Sequence, residues 1–399
     1  MIRLRHINGL LFAVLLSPFA VAAQSQPHLT WQGEVRPRMY GREPVAEQWD
    51  QWISMRTRLG LEARLDQGLG IFVQVQDVRF WGEETTHRDR SGDAIDFHQA
   101  YLEVDSLPGI GGLIRVGRQE VSLGEGRLIS APDWGQAGQS FDGAKWTRLM
   151  GGPHLHLVYL RLREGSSISH DQSADMTGAW LSLPVEELGT LELLAIHERS
   201  GDPGSGSQST FGSIWKRSSG PLSLRVQGLV QTGERDGVDV SAYLLAAQGT
   251  LSVLEGKGGI TLWYDHLSGD SDPEDDETGV FSTLFGSRHR YYGRADYFLN
   301  IPEDTGGLGL RDTALKLAFV PTPLLSLNLD LHRFRTAQEG SLTSQHLADE
   351  VDFWVRYRFR EALALEVGYS LTWAGTALEE LGRLEGLGNV GYLMTSLQF

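Results

Sequence analysis

Period-two alternation recurs from one end of this chain to the other. In SMRTRLGLEARL (residues 54–65), Met55, Thr57, Leu59, Leu61, Ala63 and Leu65 fall on one side, and Arg56, Arg58, Gly60, Glu62 and Arg64 on the other. A strand with two unlike faces separates alternate residues in this way. The pattern returns near 154–163, where Val158, Leu160 and Leu162 oppose Tyr159, Arg161 and Arg163. At 222–231, Leu222, Leu224, Val226 and Val230 oppose Ser223, Arg225, Gln227 and Gln231. Residues 325–332, 351–359 and 363–371 alternate likewise, with Arg356 and Arg358 on the polar side of the second run. Each run is roughly 9 to 11 residues, the length of a tilted strand crossing a bilayer.

The start of the chain points to export. Arg3, Arg5 and His6 precede an apolar run from Leu10 to Val21, and Ala20-Val21-Ala22-Ala23 offers small residues for cleavage. Residues 1–23 therefore read as a secretory signal peptide, too short to span a bilayer as a helix. Residues 24–399 then form one domain, with no later apolar run long enough to cross as a helix. With no cysteine there is no disulfide framework and no thiolate chemistry. The alternatives are a soluble exported β-protein, whose strands would also alternate, and a transmembrane barrel. Long polar side chains on the polar face of nearly every strand favour the barrel. So do connectors that alternate between short and long. The last strand ends in Phe399 with Leu397, Thr395 and Leu393 before it at period two, a closing strand typical of Gram-negative outer-membrane barrels.

Short turns near 66–68, 106–112, 151–153, 184–189, 218–221, 255–258, 321–323 and 360–361 belong on the periplasmic side. Long polar connections near 40–51, 82–95, 122–140, 164–175, 200–208, 233–238, 335–348 and 374–389 belong outside the cell. Counting RHRYYGRADYF (288–298) as a strand gives nineteen, and odd parity would put the C-terminal strand on the wrong side. Residues 268–311 are therefore expected as one extracellular excursion, long enough to fold back into the mouth or lumen as a loop or a plug. The expected fold is all-β: an antiparallel transmembrane barrel of about eighteen strands with long extracellular loops.

Alternation places Arg56, Arg58, Arg64, Arg161, Arg163, Arg225, Lys316, Arg356 and Arg358 toward the lumen. A low-dielectric wall focuses the field of such charges. Arginines stay protonated and pair bidentately with carboxylates, so a ladder of them makes an anion path of many weak sites. The competing reading is that they pair with lumenal Glu62, Glu103, Glu192, Asp330, Asp352 and Glu366 and stiffen the wall. The acidic excess behind the formal charge of -16 lies elsewhere, in GDSDPEDDETG (269–279). The run from Asp270 to Glu277 offers a partial match to a calcium loop, and a solvated loop is the plainer reading. No other cofactor is indicated. No G-x-S-x-G elbow, H-E-x-x-H or P-loop is present, which argues against an enzyme. Nucleic-acid binding is disfavoured by the lack of basic clusters outside the strands.

RVGRQEVSLGEGRLISAPDWGQAGQSFDGAKWT (115–147) resembles a signature of the alginate export family of outer-membrane porins. WYDHLSGDSDPED (263–275) with YYGRADYFLNIPEDTGGLGLRDTALKLAF (291–319), DEVDFWVRYRF and LALEVGYSL extend the resemblance over most of the chain. It implies an eighteen-stranded barrel with an electropositive lumen for an acidic polysaccharide. Within the motif, Arg118, Glu120 and Arg127 are the conspicuous charges; Arg118 and Arg127 carry over as pore-mouth or lumen residues, or as anchors of the long loop. The expected partners are outer-membrane lipid and lipopolysaccharide and an anionic solute or polysaccharide; periplasmic export partners are not identified. The expected function is a porin in the outer membrane of a Gram-negative bacterium. A weakly selective nutrient porin and a loop-plugged barrel serving as adhesin or envelope anchor are the rivals.

Overall fold

The computed structural model describes residues 27–45, 48–65, 68–83, 95–107, 109–163, 174–199 and 206–399. The proposed signal peptide, the segments 164–173 and 200–205, and most of the 82–95 connection lie outside them. The wall begins with a tall hairpin, β1 (His28–Val45) and β2 (Gln48–Leu65). β3 (Leu69–Phe80), β4 (Ile95–Asp105), β5 (Leu113–Gln119) and β6 (Phe141–Leu149) follow. The next arc is β7 (His154–Arg163), β8 (Ala174–Val185), β9 (Gly189–Arg199), β10 (Ser207–Ser219), β11 (Leu222–Arg235) and β12 (Val238–Val253). After β13 (Gly258–Leu267) the chain makes its long excursion, which holds the two-residue β14 (Glu277–Thr278) and the single-turn α1 (Ile301–Asp304). β15 (Leu310–Thr322), β16 (Leu325–Arg335), β17 (His346–Arg360), β18 (Leu363–Ala374), α2 (Thr376–Glu380) and β19 (Leu387–Gln398) complete the chain.

Setting β14 aside, eighteen strands pair antiparallel with their neighbours, and β1 pairs with both β2 and β19. The sheet is closed, so no backbone edge is left unpaired in hydrocarbon. Residues 288–298 are not a wall strand, as even parity requires, and β13 pairs directly with β15 across the excursion. Leu59 and Leu65 are exposed on the outside of β2 while Arg56 and Arg58 are buried inside, so the register expected for SMRTRLGLEARL is the one present.

Two expected loops are strands instead. Residues 40–51 continue the β1–β2 ladder through Arg42↔Asp50 and Val45↔Gln48. At 18 residues, β1 is about 60 Å long at ~3.3 Å per residue, far more than an apolar band of about 25 Å requires. Its polar upper part stands above the membrane, where backbone pairing needs no apolar face. The connection at 233–238 is a tight hairpin. Arg235 pairs with Val238, and Asp236 and Gly237 both take positive φ. Asp-Gly is suited to a two-residue turn because both central residues must adopt left-handed backbone.

The lumen is not a uniform aqueous tube. On β7 to β12 the inner face buries polar residues such as Thr210, Arg225, Gln227 and Gln231, but it also carries an apolar row: Leu160, Met176, Ile196, Ile214, Leu229 and Leu244 are all buried. They pack against Val121, Leu123, Leu128 and Ile129 of the 120–140 loop, and against Phe281, Tyr291, Tyr292 and Phe298 of the excursion. The two loops are joined by their backbones, with Phe285 N–H donating to Leu128 O at 2.9 Å and Ser130 N–H to Phe285 O at 3.1 Å. The excursion expected to fold back into the lumen does so, and the 120–140 loop accompanies it.

Candidate functional site

On the opposite arc the inward residues are polar, and the arginines of β1 and β2 hold the 120–140 loop. Arg36 donates from Nη1 to Asp133 O at 2.6 Å, from Nη2 to Gly135 O at 2.9 Å and from Nε to Gln136 Oε1 at 2.9 Å. Arg38 donates to Trp134 O at 2.7 Å. Arg56 pairs with Glu34 at 2.7 Å and Asp133 at 2.6 Å. Arg58 donates to Gln76 at 2.7 Å and faces Glu120 at 3.4 Å. Carbonyl oxygens are acceptors that a guanidinium fork can collect several at a time. The wall arginines thereby fasten residues 133–136 against the barrel.

A second set of contacts anchors the apolar side. Arg127, fully buried, forms a two-pronged pair with Asp265 of β13 at 2.7 and 3.1 Å and donates to Tyr292 Oη at 3.0 Å. Glu125 faces Lys216 at 2.9 Å and Arg225 at 3.3 Å. Burial disfavours ionisation of Glu125, but Arg225 and Lys216 outweigh it and hold the carboxyl below its ordinary range. The excursion is latched to β17: backbone N–H groups of Arg294 and Ala295 donate to Glu350 at 2.8 and 3.1 Å. Gly293 takes positive φ there, and a Cβ on it would collide with the Glu350 carboxylate.

Between the loops and the polar arc lies a cavity of about 490 Å³. Arg36, Arg290, Arg294 and Lys316 line it, with Trp134, Trp263 and Trp354, the carboxylates Asp133, Asp330 and Glu366, and His289 and His332. Cations thus outnumber carboxylates by one, the imidazoles aside. Arg294 sits over Trp354 at 4.2 Å and donates to Tyr392 Oη at 2.7 Å. Lys316 lies over Trp263 at 4.9 Å and pairs with Asp330 at 3.0 Å. Trp134 stacks on His289 at 3.9 Å. Burial holds the His289 imidazole below its usual range despite Asp296, which its Nδ1 meets at 2.6 Å. A wider hollow of about 1060 Å³ includes exposed Val230 and Tyr243 of the outer wall, so it lies at the rim and off this pathway.

The sequence-derived residues divide accordingly. Arg56, Arg58, Arg225 and Lys316 point inward and are engaged as described. Arg64 also points inward, half exposed, paired with Glu62 and Glu103. Arg356 faces Glu366 at 3.6 Å, and Arg358 is exposed on the same face. Arg127 anchors the loop. Arg118 and Arg161 require correction. Arg118 shares its side of β5 with exposed Val116 and pairs with Asp142 at 3.1 Å. Arg161 shares its side of β7 with Tyr159, 42% exposed, while Leu160 is fully buried. Both arginines face outward. The apolar lumenal arc reversed the usual meaning of alternation on β7. The Arg163 side chain lies outside the described residues. Arg36 and Arg38, absent from the set that alternation assigned, stand at period two in GEVRPRMY, which is the signal that marks them. Arg290, Arg294 and Trp134 sit on irregular loops, where no periodicity could mark them.

The acidic run is exposed, and it caps its own turns: Asp270, Asp272 and Asp275 each accept the N–H two residues on, at 3.1, 3.2 and 2.9 Å. Among the described residues no three carboxylates or histidines gather in a metal-holding arrangement, so the calcium reading receives no support from the geometry.

The sequence profile of the alginate export family matches residues 32–154 and 204–383. The chain belongs to the alginate export family. This family member is an outer-membrane protein of Gram-negative type and a channel of the porin kind. Among solved structures it is similar to Pseudomonas aeruginosa OpdO, with 14% identity and a TM-score of 0.63 over 93% of this chain and 97% of that one. It is similar to Pseudomonas aeruginosa OpdL, with 12% identity and a TM-score of 0.63 over 93% and 98%. The outer membrane protein opdK of Pseudomonas aeruginosa matches at 12% identity and a TM-score of 0.60 over 93% and 98%. At these identities the likeness concerns the fold. No curated protein sequence matches the chain.

Proposed function

We propose that this family member passes anionic solutes, and acidic saccharides in particular, by diffusion and without covalent chemistry. The observation that carries this reading is the cavity lined by Arg36, Arg290, Arg294 and Lys316 beside Trp134, Trp263 and Trp354. A guanidinium fork matches a carboxylate, and an indole face offers an apolar platform to the carbon face of a sugar ring. The interleaved Asp133, Asp330 and Glu366 keep each cationic site weak, which favours release. The same carboxylates support a second reading, a weakly selective nutrient pore. Residues 1–23 are proposed as a cleaved export signal and 24–399 as the mature barrel; the mature N-terminus tests this.

Reversal potential in a planar bilayer under a KCl gradient separates the readings. Chloride preference with block by oligouronates supports the anion path. Near-zero selectivity without uronate block supports the nutrient pore. Absence of conductance supports a barrel closed by its two inward loops.

A further inference from the structure

Two guanidinium groups at the edge of the cavity hold a carboxylate between them. Arg36 Nη1 donates to Asp133 Oδ2 at 3.0 Å, and Arg56 Nη2 donates to Asp133 Oδ1 at 2.6 Å. The two arginines stand at directly paired positions of β1 and β2, so the ladder fixes their spacing. Their side chains are 2% and 1% exposed, whereas that of Asp133 is 66% exposed. Among the described residues the Asp133 carboxylate meets no third group. The cations of this site are built into the wall, and its acid is held from one side only.

The loop does not depend on that carboxylate. Arg36 also donates to Asp133 O, Gly135 O and Gln136 Oε1, and Arg38 donates to Trp134 O. Those bonds survive if the Asp133 side chain turns into the cavity, which Arg36, Asp133 and Trp134 all line. The arginines do depend on an acceptor. Turning Asp133 away leaves one N–H on each guanidinium without a partner, and an unmet buried donor is costly. The charge count agrees. Arg36 and Arg56 against Glu34 leave one positive charge, which Asp133 balances. Of the flanking cations, Arg58 faces Glu120 and Arg38 lies over Trp134 at 4.6 Å, so neither removes that charge.

On the reading that this channel passes anions, we infer that Asp133 stands where a solute carboxylate binds, and that a solute enters the Arg36–Arg56 site by displacing it. The ligand is a carboxylate-bearing solute such as a uronate. One of its oxygens takes the Arg36 N–H and the other takes the Arg56 N–H, so the exchange leaves no donor bare. A neutral sugar cannot make this exchange, because its hydroxyls leave the buried positive charge uncompensated. Asp133 is an internal competitor that weakens solute binding and speeds release.

The test is block of single-channel current by trigalacturonate, with the purified full chain in planar bilayers and maltotriose as the neutral control. Asp133→Asn is expected to lower the half-blocking concentration about tenfold, equivalent to ~1.4 kcal/mol, while Asp133→Glu stays near wild type. An aspartate that only pinned the loop would give the opposite sign or no change. The gain should vanish in the Arg36→Gln background, with folding checked by heat-modifiable migration. A gain that persists there reflects the general field of the pore and overturns the proposal. Occupancy is read separately, because the chain has no cysteine of its own. In Asp133→Cys, trigalacturonate should slow modification by a neutral methanethiosulfonate about tenfold, and maltotriose should not. Equal modification rates overturn the displacement even where Arg36→Gln does not fold. Block of the wild type with no gain in Asp133→Asn overturns the inference and leaves the anion path standing. Block of neither protein overturns both.

Discussion

The two arcs of this barrel obey opposite rules. On β15 to β18 and on β1 and β2, inward positions hold Lys316, Asp330, Glu366, Arg36 and Arg56, and outward positions hold Leu and aromatic residues. On β7 to β12 the inner face carries an apolar row, Leu160 to Leu244, among buried polar groups such as Gln227 and Gln231, while Tyr159 and Leu245 point outward. The difference comes from what covers each arc. Loops 120–140 and 268–309 lie on the β7–β12 wall and exclude water from it, so burying apolar side chains there is favourable. They leave the polar arc to the cavity. The loops are also held differently, by apolar packing on one side and by arginine-to-carbonyl hydrogen bonds on the other. Alternation along a strand separates two faces, and the lumenal face is covered by apolar packing on one arc and by hydrogen-bonded polar groups on the other.

The largest effect that would break this comparison is expected at Arg127. Arg127→Ala strands the buried Asp265 carboxylate, and loss of one partner of a buried pair costs about 3 to 5 kcal/mol. Urea unfolding followed by tryptophan fluorescence should show that loss, and single channels should become noisier as the loops loosen. Next is Leu244→Ala, which opens a cavity under the loops and should cost about 2 to 4 kcal/mol. Asn328→Asp, an equally inward change on the polar arc, should stay within about 0.5 kcal/mol and move the reversal potential toward cations. Equal destabilisation by the two would mean that the loops do not divide the lumen.

The arginines sharpen the contrast further. Arg56→Glu with Arg58→Glu should lower anion preference and raise conductance, because residues 133–136 lose their clamp, and should lower stability as well, because Glu34 loses its buried partner. Arg356→Glu with Arg358→Glu should change selectivity alone, since both side chains are exposed and hold no loop. Identical conductance traces for the two pairs would refute the clamp. The smallest effect concerns pH. Glu125 has its folded value held below the ordinary 4.5, so its anchoring contribution is complete above that pH and fades as pH falls through the lowered value. Gating noise should therefore rise only below about pH 4.5, and Glu125→Gln should abolish the dependence.

Much of the polar arc was legible in the sequence. Arg56, Arg58, Lys316, Arg356 and Arg358 stand on the faces that alternation assigned. Parity removed 288–298 from the wall without any structural information, because a barrel whose termini share one side needs an even number of strands. Arg161 was misread because alternation identifies two faces but does not say which is the lumen. On a strand whose inner face is covered, the exposed polar group can be the outer one.

The sequence alone determined the closed eighteen-stranded wall, the level of its short turns and the basic character of the β2 and β17 faces. Those features follow from local periodicity and from the need to pair every backbone group in hydrocarbon. Only the tertiary structure decided which part of the lumen is packed with apolar side chains, that the wall arginines grip Asp133 to Gln136, and that Arg294 and Trp134 join the cavity. Those facts depend on where two long irregular loops come to rest. Contacts across 79 to 165 residues of sequence, such as Arg56 to Gly135 and Arg127 to Tyr292, leave no periodic trace along the chain.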